Sequence, residues 1–256
     1  MTIRGALTTI TCLVMPPALK PPLLRALGHH VHARARIGVS IISASRLYLD
    51  AGSRIGHLNL IRCGRILLRP EAYIGSLNII RGPLHVVLGP NAGIGNRNVI
   101  VRAQRPLSVG PSRLRLGVWS KITAGHYVDC MTNVRFGDYS TLAGAGSQLW
   151  THGYVHYTKG IDRARVDGEV RIGDNVYIGS ASCISGGVSI ADGVAVGAHS
   201  SVAASLLRAG VYVSQPLRYL AITPEERLAR LPRIERDDLS EIVYQKTPAT
   251  QVAAEE

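Results

Sequence analysis

Aromatic residues are scarce in this chain, at 5% of 256 residues with a single Phe. A core organised around large rings is therefore excluded, and the 27 Gly among abundant Ile, Val, Leu, Ala and Ser favour small, repeated aliphatic layers. Long apolar runs are also missing. The run from Ala6 to Met15 is broken by Thr8, Thr9 and Thr11 and falls short of the roughly 20 residues a spanning helix needs. Met15-Pro16-Pro17 follows directly without a convincing cleavage site, so cytoplasmic residence is expected. The four cysteines, Cys12, Cys63, Cys130 and Cys183, form no CxxC or metal-ligand pair and read as free buried thiols of a reducing compartment.

Acidic residues are nearly absent from much of the chain. Residues 1–160 hold 19 Lys/Arg against 4 Asp/Glu, a balance of +15, while the remainder balances at −3. Such a surface attracts polyanions: nucleic acid, sugar nucleotides, the phosphates of CoA, or peripheral contact with an anionic membrane surface. No zinc-finger, RRM or helix-turn-helix pattern is present, and the Arg residues are dispersed among Gly and Ile, so a nucleic-acid partner is not expected.

What is present is a period of six. Ile172, Ile178, Ile184, Ile190, Val196 and Val202 recur at every sixth position. A helix would scatter them around its axis, and a hairpin strand would need apolar partners between them. Six fits a flat coil of three short strands, each pointing one aliphatic side chain into the axis. Gly173, Gly179 and Gly197 follow the aliphatic position, and Val176, Val188 and Val194 sit four residues after it. The phase recurs in Ile37, Ser43, Leu49, Ile55 and Ile61, in Leu68, Ile74 and Ile80, in Leu88, Ile94 and Ile100, in Leu116, Ile122 and Val128, and in Phe136 and Leu142. Each jump in phase marks a loop or irregular corner. The longest interruption, from Trp150 to Glu169, lies inside the array, where a rigid scaffold usually carries function.

The expected class is all-β: a parallel β-helix with short helical segments at both ends. Residues 1–34 form an N-terminal cap, 35–221 the β-helix with an inserted loop at 150–169, and 222–256 a helical tail. In the cap, Leu23-Leu24-Arg25-Ala26-Leu27 reads as a short amphipathic helix. In the tail, Thr223-Pro224-Glu225-Glu226 combines a capping box with Pro at the first helical position, predicting a helix that stops near Pro232. Asp238 to Glu241 has box-like spacing for a second, and mobility is expected from Thr247 onward.

Arg171-Ile172-Gly173-Asp174-Asn175-Val176-Tyr177-Ile178-Gly179 resembles the IGDNVWIG signature of hexapeptide-repeat acyltransferases. Ser147-Gln148-Leu149-Trp150-Thr151-His152-Gly153 is similar to the loop that carries the active-site histidine in their sugar O-acetyltransferase branch. The resemblance implies a left-handed β-helix, an exception to the usual crossover rule, and a homotrimer in which acceptor and acetyl-CoA meet between subunits. Gln215-Pro216-Leu217-Arg218 stands where the family carries a GxPAK-like sequence, here without its Gly.

The resemblance and the chemistry together point to His152 as catalytic base, because a sugar hydroxyl is a poor nucleophile until a group titrating near neutrality removes its proton. Its structural alternative is a hydrogen-bonded loop histidine. His156 is a surface or acceptor-binding residue, and Trp150 either walls the pocket or packs the loop onto the coil. The family often pairs its histidine with an upstream asparagine, and Ile122-Thr123-Ala124-Gly125-His126 offers none. His126 and Asp129 are the polar candidates for binding the acceptor or orienting His152, unless they merely line a corner. Asp174 and Asn175 are expected to satisfy turn backbone groups, and His199 to face outward. The oxyanion donor would be a backbone N–H.

Acetyl-CoA, the expected acyl donor, would lay its pantetheine arm along Gly179, Ala181, Gly197 and Ala198, with Arg208 or Arg218 meeting its phosphates or serving as ordinary surface charge. No metal is expected. Two other readings stand beside this one: a carbonic-anhydrase-like site in which histidines of adjacent subunits, here His126, His152 and His156, surround one metal, and a noncatalytic scaffold that needs no loop histidine. The expected acceptor is a sugar in a polysaccharide, lipopolysaccharide or related glycan precursor, with an amino sugar or a small molecule such as serine left open.

Overall fold

The computed structural model describes residues 3–104, 112–156, 158, 160–161, 163–214, 218–223, 226, 229, 233–234 and 243–244. It is a left-handed parallel β-helix of about nine turns. Three columns of stacked side chains fill its axis. The first runs Ile37, Ile55, Ile74, Ile94, Ile122, Leu142, Ile178 and Val196. The second runs Ile42, Ile61, Ile80, Ile100, Val128, Leu149, Ile184 and Val202. The third runs Leu49, Leu68, Leu88, Leu116, Phe136, Ile172 and Ile190. All are buried in one continuous core. Each layer touches only the layers above and below, as the repeat requires.

The first coil departs from the sequence phase. Ile42 is buried and Ser43 is not, because the corner after Ile37 is one residue shorter than the repeat and shifts the inward position from 43 to 42. The largest departures from six, Ile80 to Leu88, Ile100 to Leu116, Val128 to Phe136 and Leu149 to Ile172, all fall between the second and third columns. One edge of the prism therefore receives every long insertion, and it is the edge that carries the candidate site.

A ladder of buried polar side chains stiffens another corner. The backbone N–H groups of Asn59, Asn78, Asn98, His126, Ser147, Ser182 and Ser200 donate in turn to the side chains of Ser40, Asn59, Asn78, Asn98, His126, Ser147 and Ser182, at 2.8–3.3 Å. Each side chain thus satisfies a turn amide one coil further on, which buried backbone requires. At the same corner the chain takes a left-handed conformation at Leu58, Leu77, Arg97, Ala181 and His199, and at Gly125, whose φ is +67°; glycine adopts it without the steric penalty of a side chain.

The helical cap is larger than the sequence suggested. Two helices, α1 (Ile3–Val14) and α2 (Lys20–Ala26), precede the first coil. Lys20 is buried where α2 begins and donates through Nζ to the carbonyl oxygens of Cys12 at 2.7 Å and Gly38 at 2.8 Å, bolting both helices to the β-helix. Burial lowers its pKa. At the other end, Arg218–Leu220 pairs antiparallel with Gly210–Val213 and ends the parallel stacking. Thr223 and Glu226 form the expected reciprocal box, Thr223 N donating to Glu226 Oε2 at 2.9 Å and Glu226 N to Thr223 Oγ1 at 3.1 Å. Gln215 to Leu217, most of the expected tail helices and the segment from Thr247 lie outside the described residues.

Candidate active site

The inserted segment is a β-hairpin. His152–His156 pairs antiparallel with Arg163–Asp167, setting His152 opposite Asp167 at the hairpin's base. Parallel stacking places Val128 beside Leu149, so Asp129 and the residues after Trp150 share the edge where the hairpin leaves the coil.

Asp129 is the centre of the arrangement. It is 3% exposed, and its Oδ2 accepts from the Thr151 hydroxyl at 2.6 Å, the Thr151 N–H at 3.0 Å, His152 Nδ1 at 2.9 Å and the Met131 N–H at 3.4 Å. An ionised carboxylate only accepts, so beside one, Nδ1 of His152 is the donor and Nε2 is the ring nitrogen that Asp129 does not engage. The imidazole is about one-fifth exposed and lines a cleft of about 410 Å³ with Trp150, Val166, Asp167, Ser185, Gly186 and Gly187. Trp150 meets it edge-on at 6.1 Å between ring centroids and Tyr154 at 5.9 Å. Trp150 itself packs on Tyr127 at 4.9 Å and donates through Nε1 to Gln148, so it both walls the cleft and braces the loop.

Other candidates are placed differently. His126 is 1% exposed; its Nδ1 accepts from the Ser147 N–H at 3.2 Å, and its Nε2 lies 3.0 Å from Thr123 Oγ1. Burial lowers its pKa to about 4. It is a neutral rung of the polar ladder, with neither nitrogen left for an acceptor or a metal. Within one chain His126, His152 and His156 do not come together, and among its described residues no group of three His, Cys, Asp or Glu side chains could hold a metal ion. His156 is exposed near the hairpin tip, opposite Arg163. His199 is exposed at a corner, and Asp174 Oδ1 accepts from the Asp138 N–H at 2.7 Å.

Among the residues assigned to the thioester, Gly179 is buried, and a Cβ there would meet Ala198 N at 2.6 Å. It is a stacking contact between coils. Gly197 and Ala181 are half-buried and Ala198 is exposed on the same corner. Arg208 lies 4.4 Å over the Tyr219 ring; the side chain of Arg218 lies outside the described residues. Cys12 and Cys63 are pushed up by burial to about 11 and about 12, which makes them poor nucleophiles.

Sequence reasoning missed Thr151 as the second clamp on Asp129, together with Asp167 and the Ser185-Gly186-Gly187 wall. Thr151 stands directly before the histidine, but its role depends on a register visible only when coils are stacked. It also missed a row of arginines beside the site. Arg62, Arg81, Val101 and Asp129 are successive partners across adjacent strands, and Arg62, Arg81, Gly82, Val101, Arg102 and Gln104 line a second cleft of about 270 Å³. Elsewhere Arg135 and Arg171, also stacked in register, share Glu169 at 2.8 and 3.2 Å. Among the described residues no carboxylate forms an ion pair with Arg62 or Arg81.

No protein-family model and no curated protein matches this chain. Solved structures do. A polysialic-acid-specific acetyltransferase, NeuO, is similar over 75% of this chain and 79% of its own, at 18% identity and a TM-score of 0.51. The polysialic acid O-acetyltransferase OatWY is 14% identical over 75% of this chain and 83% of its own, with a TM-score of 0.45. The hexapeptide-repeat acetyltransferase VCA0836 of Vibrio cholerae O1 biovar eltor, complexed with acetyl coenzyme A, is 18% identical over 53% of this chain and 69% of its own, with a TM-score of 0.43. At these identities the likeness to NeuO is one of fold: this chain winds as a hexapeptide-repeat β-helix.

Proposed function

We propose that the protein is a CoA-dependent acyltransferase that moves an acetyl group from acetyl-CoA to a sugar hydroxyl, with His152 as general base. The observation that carries this reading is the hydrogen bond from His152 Nδ1 to the buried Asp129 carboxylate. It fixes the tautomer in which Nε2 can accept a proton, and the carboxylate stabilises the imidazolium that results. Nε2 takes the proton of the hydroxyl as its oxygen attacks the thioester carbonyl. The C–S bond then breaks, and the imidazolium returns the proton to the departing CoA thiolate. Turn amides at the edge of the cleft supply hydrogen bonds to the intermediate oxyanion.

The acceptor in this reading is an acidic glycan or sugar phosphate. Like charges stacked on adjacent strands are destabilising, and Arg62 and Arg81 stand in that relation about 10–15 Å from Asp129 at about 4.8 Å per strand. A carboxylate or phosphate lying across them would relieve the repulsion and aim a neighbouring hydroxyl at Nε2. NeuO and OatWY, whose acceptor is polysialic acid, have acidic substrates of this kind. The flat faces of the β-helix further support a homotrimer, with acetyl-CoA running along the later coils beside Ala181, Gly197 and Ala198. Following free thiol while the purified protein is offered acetyl-CoA and a panel of neutral and acidic sugars and sugar nucleotides tests the reading. Thiol release that depends on an acidic acceptor supports it, and no release with any member of the panel counts against it.

A further inference from the structure

The first helix is built inside out. In α1 the buried positions are Gly5, Thr8, Thr11 and Cys12. It docks through polar contacts: Thr8 Oγ1 lies 2.8 Å from His29 Nε2, and Thr9 Oγ1 donates to the Ile42 carbonyl at 2.9 Å. Its aliphatic side chains point outward, with Ile3 84%, Ile10 52% and Val14 68% exposed. Ile3, Leu7, Ile10 and Val14 recur at the spacing of a single helical stripe, and exposed Leu19 and Leu23 extend the apolar surface to α2. A helix facing water would reverse this arrangement. A stripe of this kind marks contact with an apolar partner.

The charge around it says which partner. Residues 1–49 contain six Lys or Arg and no Asp or Glu; Lys20 is buried, whereas Arg4, Arg25, Arg34 and Arg36 are exposed. A second copy would bring the same cationic surface against itself and meet repulsion. A bilayer with anionic headgroups accepts both the aliphatic stripe and the exposed positive charge of the segment that carries it. At 12 residues α1 is about 18 Å long, too short for a hydrocarbon core of about 30 Å, so it would lie along the interface.

We propose that α1 and the start of α2 form an interfacial anchor that seats this end of the β-helix on an anionic phospholipid membrane. The anchor is independent of the acyltransferase reading. The test is co-sedimentation of the full chain with phosphatidylcholine vesicles with and without one-third phosphatidylglycerol. The wild-type chain is expected to pellet with the anionic vesicles, and an Ile10→Ser/Val14→Ser double variant to lose at least tenfold in partitioning while keeping the wild-type circular dichroism and melting temperature. Ile10→Trp, which keeps the stripe apolar, is expected to bind and to be quenched by brominated lipids. A wild-type chain that stays in the supernatant with anionic vesicles would overturn the proposal, as would unchanged partitioning of the double variant. So would a wild-type chain that ignores vesicles while the double variant changes its oligomeric state, which would assign the face to a second copy.

Discussion

Nδ1 of His152 lies 2.9 Å from Oδ2 of Asp129, on a carboxylate that Thr151 grips at 2.6 Å through its hydroxyl. The two residues stand 23 apart in sequence and meet because one coil of the helix separates them. Replacing His152 tests its proposed role as base. His152→Ala is expected to lower turnover by about 10²–10⁴-fold while leaving the melting temperature and acetyl-CoA affinity near wild type, since the side chain is outside the aliphatic columns. Steady-state thiol release and calorimetric titration with acetyl-CoA check both halves.

Asp129→Asn keeps the shape of the clamp and removes its charge. The amide no longer stabilises an imidazolium, so kcat should fall by about 10²–10⁴-fold with little change in KM. A purely structural aspartate would show lost stability and no selective loss of kcat, so kinetics and thermal melts of the same preparation distinguish the roles.

Arg81→Ala should raise the KM for an acidic acceptor by about tenfold and leave the KM for acetyl-CoA unchanged, because Arg81 belongs to the row descending from Asp129. The effect should shrink as salt is added. An equal rise for both substrates would place this arginine elsewhere in the reaction.

Two buried histidines make stability depend on pH. Burial lowers His29 and His126 from 6.5 to about 4 in the folded chain, and both accept a backbone N–H at Nδ1. The unfolded chain therefore binds protons first as pH falls. Stability is full above about pH 6.5 and declines toward pH 4, by about 3 kcal/mol for each histidine. His126→Asn continues the asparagine run above it and should remove about half of this dependence, measured by urea midpoints between pH 7 and pH 4.

The chain is expected to sediment as a trimer at micromolar concentration, and saturating acetyl-CoA to raise its melting temperature. A monomer whose melting temperature is indifferent to millimolar acetyl-CoA would speak for a scaffold.

The six-residue period made the axis legible, since each of Ile172, Ile178, Ile184 and Ile190 reports one face of a coil directly. Ser43 misled because a corner shortened by one residue moves the inward position to Ile42, and only the neighbouring strand reveals the slip. His152 could be found from its local motif, whereas the link to Asp129 needed the number of residues per coil, which the insertions disguise. The same holds for Asn59, Asn78 and Asn98, whose ladder appears only once the coils are stacked. In α1 the threonines made the segment read as a broken apolar run; they are its inward face, and their hydrogen bonds to the first coil replace the usual greasy contact.

The stacking also works as a ruler. From Ile42 to Val128 the second column climbs four strand spacings, about 19 Å at about 4.8 Å each. This rise fixes how far the His152 cleft stands from the helical end of the molecule. Adding or deleting one whole coil would change that height by a single step and leave the Asp129–His152 geometry intact, so reach and chemistry can vary separately in a protein wound this way.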